Sequence, residues 1–259
     1  MEFSREIYWN VGHGVLIPMY IIALGSICYA LFSFWQRKSF YKKGKPENRF
    51  DNLSDRIFYS IKTTFGQLRV LSDKNVGFIH LLLFFGFVIL TIGTTLIFIQ
   101  ADFLDPIFGI KFLKGDFYKI FSLSMDIAGL VMLVALFMFS VRRFIVKPDG
   151  LETTKDDFIM HILLYLIILS GFILEGFRMA ATEINNPDLM IFSPVGMLFA
   201  KLIYGKFDLE LFHKIFWWGH LLLVAIFFVT IAFTKFRHIV FIPANYFFHN
   251  ELPKGSLET

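Results

Sequence analysis

Six of the seven histidines in this chain fall in or beside apolar stretches: His13, His80, His161, His213, His220 and His238. His249 stands in a polar tail, where simple solvation is expected. An imidazole within hydrocarbon is costly unless it has a partner, so each of the six is a candidate ligand. His220 and His238 are 18 residues apart. In one continuous helix that is five turns, which puts both rings on one face about 27 Å apart. One haem cannot use both, whereas two stacked haems, one toward each membrane surface, can. A bis-histidine haem needs a second imidazole at matching depth on a neighbouring helix. Depth matches His80 with His238 at the inner end and His13 with His220 at the outer end. His161 enters its segment at a depth similar to His80 and is an alternative to it. His213, beside Lys214, reads as a propionate or quinone neighbour or as an interfacial histidine. For any one of these residues a purely structural role is as open as ligation; the spacing and depth make the joint case.

Two further polar groups lie in apolar segments. Glu175 and Arg178 are one helical turn apart near an outer end, where a carboxyl in apolar surroundings is suited to proton exchange with a quinol. An ordinary interfacial Glu–Arg pair is the competing reading. Asp126, inside the third segment, faces inward in a packed helix and offers either a hydrogen bond to another helix or a proton-transfer group.

Positioning such groups takes membrane-spanning helices, and the composition calls for them. Of 259 residues, 56% are hydrophobic and 19% aromatic, with 35 Phe and a mean hydropathy of +0.62. A net charge of +4 is too small and too dispersed for nucleic-acid binding. The single cysteine, Cys28, excludes an internal disulfide and an iron–sulfur cluster held by this chain's own CxxC spacing. Five segments have the roughly 20 apolar residues that spanning requires: 11–35, 76–99, 117–141, 158–177 and 211–233. The first is too long for a secretory signal core, follows a short acidic and aromatic lead, and is expected to persist as a helix.

Orientation follows from basic residues, which stay on the cytoplasmic side. The connections after the first and third segments and the C-terminal tail carry 17 Lys and Arg, against 8 on the other side. The fold expected is an all-α integral membrane protein: a five-transmembrane-helix bundle with the N-terminus outside and the C-terminus cytoplasmic. Residues 1–259 read as one membrane domain, with a basic cytoplasmic connection at 36–75 and a short cytoplasmic tail at 239–259. Ile57, Ile61, Phe65 and Leu68 among basic residues predict an amphipathic interfacial helix in that connection. Gly12 and Gly14 around His13, Gly77 and Gly86 around His80, and Gly219 before His220 suit close approach of a flat macrocycle or of another helix.

Strings along nearly the whole chain carry a resemblance: REIYWNVGHG (5–14), GKPENRFDNL (44–53), RVLSDKNVGFIHLLLFFGF (69–87), GFILEGFRMA (171–180), SPVG (193–196), FHKIFWWGHLLL (212–223) and TKFRHI (234–239). The chain resembles the membrane domain of membrane-bound iron–sulfur oxidoreductases, related to heterodisulfide reductase membrane subunits and the respiratory nitrate reductase gamma subunit. The resemblance implies a five-helix cytochrome b. Such a protein exchanges electrons between menaquinone or another membrane quinone and a cytoplasmic, cysteine-rich, heterodisulfide-reductase-like iron–sulfur protein or fused domain. It also implies multi-pass residence in a prokaryotic cytoplasmic membrane.

By the same resemblance, His220 and His238 correspond to the fifth-helix haem b ligands and His80 to the inner ligand of the second helix. The outer second-helix ligand is expected about ten residues on, where Leu90 stands. Either the outer haem is absent or His13 supplies its ligand, and the GHG string favours His13. Two readings compete: a haem-free membrane anchor or transporter, and a b-type transmembrane reductase acting alone. Absence of repeated halves counts against a transporter.

Overall fold

A backbone crossing hydrocarbon must satisfy its own amides, which helices do locally. The computed structural model describes residues 4–38, 43, 48–67 and 69–249, and the side chain of His13 lies outside that set. Five helices are long and apolar enough to cross a membrane. They are α1 (Leu16–Trp35), α3 (Lys74–Ile99), α4 (Gly115–Ser140), α5 (Lys155–Thr182) and α7 (Leu209–Ile231). Three helices of 10 to 14 residues are α2 (Leu53–Gly66), α6 (Pro194–Ile203) and α8 (His238–Phe247), and four-residue helical turns lie at Asp105–Phe108 and Pro187–Met190. Among the described residues no strand forms, only an isolated bridge between Ser4 and Lys114.

Polar side chains set the helix starts. Asp73 accepts from Val76 N at the start of α3, and Asp208 accepts from Leu211 N at the start of α7. A reciprocal capping box joins Thr154 and Asp157 at the start of α5. The second and third spans run past their α-helical parts through single π-helical turns, Gln100–Leu104 and Val141–Val146.

Neighbouring spans pack in the order α3, α4, α5, α7, α1, with α6 laid against α5. Met132 and Leu136 of α4, Leu163, Ile168 and Phe172 of α5, and Phe227 and Ile231 of α7 form the central core. Gly86 lets α3 approach α4 closely: a Cβ there would lie 2.9 Å from Met132 Cβ and 3.0 Å from Ala128 O. Across the bundle α3 reaches α7 through Phe87 and Phe227, with ring centroids 5.9 Å apart. Ile17, Ile21, Leu24 and Leu31 leave one face of α1 exposed and apolar, as a lipid-facing surface requires.

The fifth span departs from the sequence expectation. It ends at Ile231, a 3-10 turn follows at Lys235–Arg237, and α8 begins at His238. The premise that His220 and His238 lie five turns apart on one helix is therefore corrected. Local hydrogen bonding explains the break. Thr234 Oγ1 donates back to Thr230 O (2.9 Å) and accepts from Phe236 N (3.3 Å), while Arg37 Nη2 donates to Ala232 O (2.6 Å). These contacts satisfy groups that a continuing helix would otherwise pair.

Of the stretch read as a tail, residues up to Phe247 belong to α8, which packs against α2; residues 250–259 lie outside the described residues. Buried Arg56 of α2 donates to the Asp51 carboxylate (2.9 Å), Phe247 O (3.3 Å) and His249 O (2.9 Å). His249, expected to be simply solvated, stacks on Tyr59 with centroids 4.1 Å apart. The expected amphipathic helix is α2, which exposes Leu53, Ile57, Phe58, Ile61 and Phe65; Leu68 lies outside the described residues.

Candidate functional site

The α7–α8 break carries His238 to the start of α3. Its ring centroid lies 6.5 Å from that of His80, with the ring planes at 55°. His238 Nδ1 is 2.6 Å from Lys235 O, a contact that requires Nδ1–H and leaves Nε2 as the free lone pair. His80 meets Phe139 edge-on, and its buried Nδ1 has no hydrogen-bond partner among the described residues. Imidazole nitrogens bind metals at about 2 Å, so two rings on opposite sides of one iron have centroids about 6 Å apart. The spacing of His80 and His238 fits that arrangement. His161, the alternative to His80, turns its Nδ1 to Asp157 O at 2.6 Å and packs its ring edge-on against Phe144, and its buried Nε2 has no hydrogen-bond partner among the described residues.

Near the other end, His220 Nδ1 lies 2.9 Å from Ser170 Oγ. Ser170 Oγ donates to Ile167 O (3.1 Å), so it accepts from His220 Nδ1–H and again leaves Nε2 free. Gly219, beside His220, faces open space, since a Cβ there would meet nothing within 4 Å; Gly12 and Gly14 do likewise. Gly77 instead packs against the backbone of Val70 and Leu71, as Gly86 does against α4. The backbone of His13 opens a 3-10 turn leading into α1. Just before it, Asn10 Nδ2 donates to Glu210 O (2.6 Å) and Trp9 packs edge-on against His213 (4.7 Å). This anchors the approach to His13 near His213, about 10 Å along α7 from His220 at 1.5 Å per residue. Leu90, where the family resemblance led us to expect a ligand, packs against the central core.

Glu175 and Arg178 belong to a larger network. Arg178 Nη2 donates to Glu175 Oε1 (2.6 Å), and Nη1 donates to Glu183 Oε1 (2.5 Å). The Tyr118 hydroxyl donates to the same Glu183 oxygen (2.7 Å) and accepts from Arg178 Nη2 (3.2 Å). Arg5 of the N-terminal segment adds a 3.5 Å contact to Glu175 Oε2. Two guanidinium and two carboxylate groups thus balance in a buried setting. Glu175 keeps the most access of its pair, with 21% of its side chain exposed against 7% for Arg178. Sequence reasoning missed Arg5, Tyr118 and Glu183; Glu183 lies past the apolar run and reads there as a loop residue.

Asp126 takes the first of its two expected roles. Its carboxylate accepts from Val195 N (2.8 Å) and Gly196 N (2.9 Å), closing the N-terminus of α6. At the basic end, buried Asp157 receives Lys235 Nζ at 2.7 Å and Arg143 Nη1 at 2.9 Å. Cys28 is exposed, and no cluster of three or more His, Cys, Asp or Glu suited to a metal ion occurs among the described residues.

Comparison with known proteins gives the family. Residues 81–252, a stretch beginning just after His80 and holding His161, His213, His220 and His238, match the family model of the nitrate reductase gamma subunit. The chain is 29% identical over 264 residues to the EtfAB:quinone oxidoreductase of Syntrophomonas wolfei subsp. wolfei, covering 97% of this chain and 36% of that protein. It is 27% identical over 251 residues to the probable iron-sulfur-binding oxidoreductase FadF of Bacillus subtilis, covering 95% and 35%. The chain thus spans about a third of the length of the curated relatives it matches. No solved structure matches. On a family match that takes in most of the bundle, the chain belongs to the nitrate reductase gamma subunit family of membrane electron-transfer subunits.

Proposed function

We propose that this chain is a haem b-containing membrane subunit that carries electrons between a membrane quinone, menaquinone or another, and a cytoplasmic iron–sulfur oxidoreductase partner. The observation that carries the reading is the His80–His238 pair, 6.5 Å apart by centroid and with the His238 tautomer fixed for Nε2 ligation. His80 and His238 would hold the inner haem; His220, with His13, would hold the outer one. When bound, haem supplies a one-electron carrier that links the two-electron chemistry of a quinol to a one-electron partner.

The chain's own residues perform the remaining work. Glu175, the more accessible of its pair, accepts the hydroxyl proton of a quinol. Arg178 holds that carboxylate in place through its 2.6 Å bond, and Trp9 and His213 flank the approach from the N-terminal segment. The basic residues gathered at the α2, α8 and α4–α5 end support a cytoplasmic position for that end, with the N-terminus outside and the C-terminus inside. That end also suits an acidic iron–sulfur partner, either a separate chain or a fused domain; both relatives are much longer than this chain, and one bears iron–sulfur binding in its name. The location proposed is the prokaryotic cytoplasmic membrane.

A dithionite-reduced-minus-oxidised spectrum with a pyridine haemochrome count tests the reading on the parent chain and on His80→Ala, His238→Ala, His13→Ala and His220→Ala. Two b haems are expected, one lost in each variant. One haem indifferent to His13→Ala removes the outer site. A folded protein without haem overturns the reading in favour of an anchor or transporter.

A further inference from the structure

We propose that Asp157 is a positioning residue for His238 and acts through Lys235. The inference rests on His238 being a haem ligand. Lys235 has two jobs in the structure. Its backbone carbonyl accepts from His238 Nδ1–H at 2.6 Å. Its ammonium lies against both oxygens of Asp157, at 2.8 and 2.7 Å. A single residue therefore links the imidazole to a buried carboxylate on another helix.

The carboxylate end of that link is held from several sides. Only 4% of the Asp157 side chain is exposed. Besides Lys235, its carboxylate receives the Thr154 amide (2.8 Å), the Thr154 hydroxyl (2.9 Å) and Arg143 Nη1 (2.9 Å). Its backbone carbonyl meets His161 Nδ1. One carboxylate thus pins the π-helical end of the third span, the first turn of α5 and the turn that presents His238. Arg37 holds the end of α7 just before that turn at Ala232 O. Removing the negative charge leaves Lys235 and Arg143 facing each other as like charges, which drives the Lys235 turn away from α5. A ligand pair tolerates displacement of only about half an ångström before ligation suffers, and groups that orient metal-bound histidines commonly change affinity about ten- to a hundred-fold when removed.

Asp157 also caps α5, so Asp157→Asn alone could act through folding. Lys235→Met leaves the capping box and the Arg143 contact in place and cuts only the link to His238, and Lys235→Arg restores a cation. The measurements, on the full chain in membranes, are haem content, the low-spin electron paramagnetic resonance signal and the midpoint potential of each haem, with the second haem as internal control. The expected result is about ten-fold or greater loss of retention of one haem, with an altered signal and potential for the remainder, in both Asp157→Asn and Lys235→Met. Lys235→Arg recovers it and the other haem stays unchanged. If His238→Ala removes a haem whose content, signal and potential are untouched by Lys235→Met and Asp157→Asn, the positioning role is overturned while the haem reading stands. If His238→Ala removes no haem, the haem reading fails and the positioning role fails with it.

Discussion

His220 and Ser170 form a pair that couples α7 to α5: the imidazole Nδ1 sits 2.9 Å from a hydroxyl whose own proton is committed to Ile167 O. That commitment fixes the direction of the bond and, through it, the imidazole tautomer. Ser170→Ala removes one oxygen, so packing changes little, but His220 is freed to flip. The expected outcome is about ten-fold weaker retention of the outer haem, read as loss of one haem on dilution in detergent, with the inner haem retained.

Arg178 serves two carboxylates at once. Arg178→Met leaves buried Glu183 without its cation and Glu175 with only its 3.5 Å contact to Arg5, and breaking a buried ion pair from one side costs about 3–5 kcal/mol. A thermal melt of the purified chain is expected to drop by many degrees. Glu183→Gln, which keeps the Tyr118 and Arg178 contacts in neutral form, is expected to cost less. If the two variants melt alike, the carboxylates are not held by Arg178 in the way the distances imply.

Asp126→Asn separates a structural carboxylate from a proton carrier. An amide oxygen can accept only part of what the carboxylate accepts from Val195 and Gly196, and the resulting loss is about 1–3 kcal/mol. Quinol-dependent haem reduction in the folded fraction is expected to stay within two-fold of the parent, as roughly expected when only a cap is lost. Abolished reduction at unchanged stability would assign Asp126 to proton transfer instead.

Glycine positions give a paired test of packing. Gly86→Ala drives a methyl into Met132 and Ala128 O, with an expected cost of about 1–3 kcal/mol from overpacking. Gly219→Ala meets nothing within 4 Å, so its effect on the melt of the haem-free chain is expected to stay within about 0.5 kcal/mol. Equal destabilisation by both would contradict the close α3–α4 approach.

Span number was legible because hydrophobic length is a property of each segment alone. The nearness of His80 and His238 follows from matched depth, whereas the helical phase that joins His238 to His220 does not hold. Helical phase over 18 residues assumed an unbroken helix, whereas Thr230, Thr234 and the distant Arg37 end α7 at Ile231. Nothing in the local pattern tells a Thr that bonds back within a helix from one that caps its end. Glu183 was hidden for a related reason: its value comes from Tyr118 and Arg178, 65 and 5 residues away, and long-range charge balance leaves no periodic trace. Asp126 was readable as an anomaly, a carboxylate in an apolar run, but its partner was a pair of backbone amides on a helix too short to span.

The N-terminal segment gives the order of synthesis a structural meaning. Tyr8 bonds to Asp102, Arg5 to Glu175 and Asn10 to Glu210, partners that lie 94, 170 and 200 residues downstream. Tyr8 and Asn10 hold left-handed backbone angles, φ 60° and 61°, which asparagine tolerates but which a tyrosine adopts at a cost that its surroundings must offset. A ribosome releases the first residues of this chain long before the last of those partners exists. The segment can meet Asp102 and Glu175 earlier, but its docking is complete only once the start of α7 has been made. Full docking then requires the ends of the second, fourth and fifth spans together, so a chain stalled after α5 lacks the Asn10–Glu210 bond and the Trp9–His213 contact at that end.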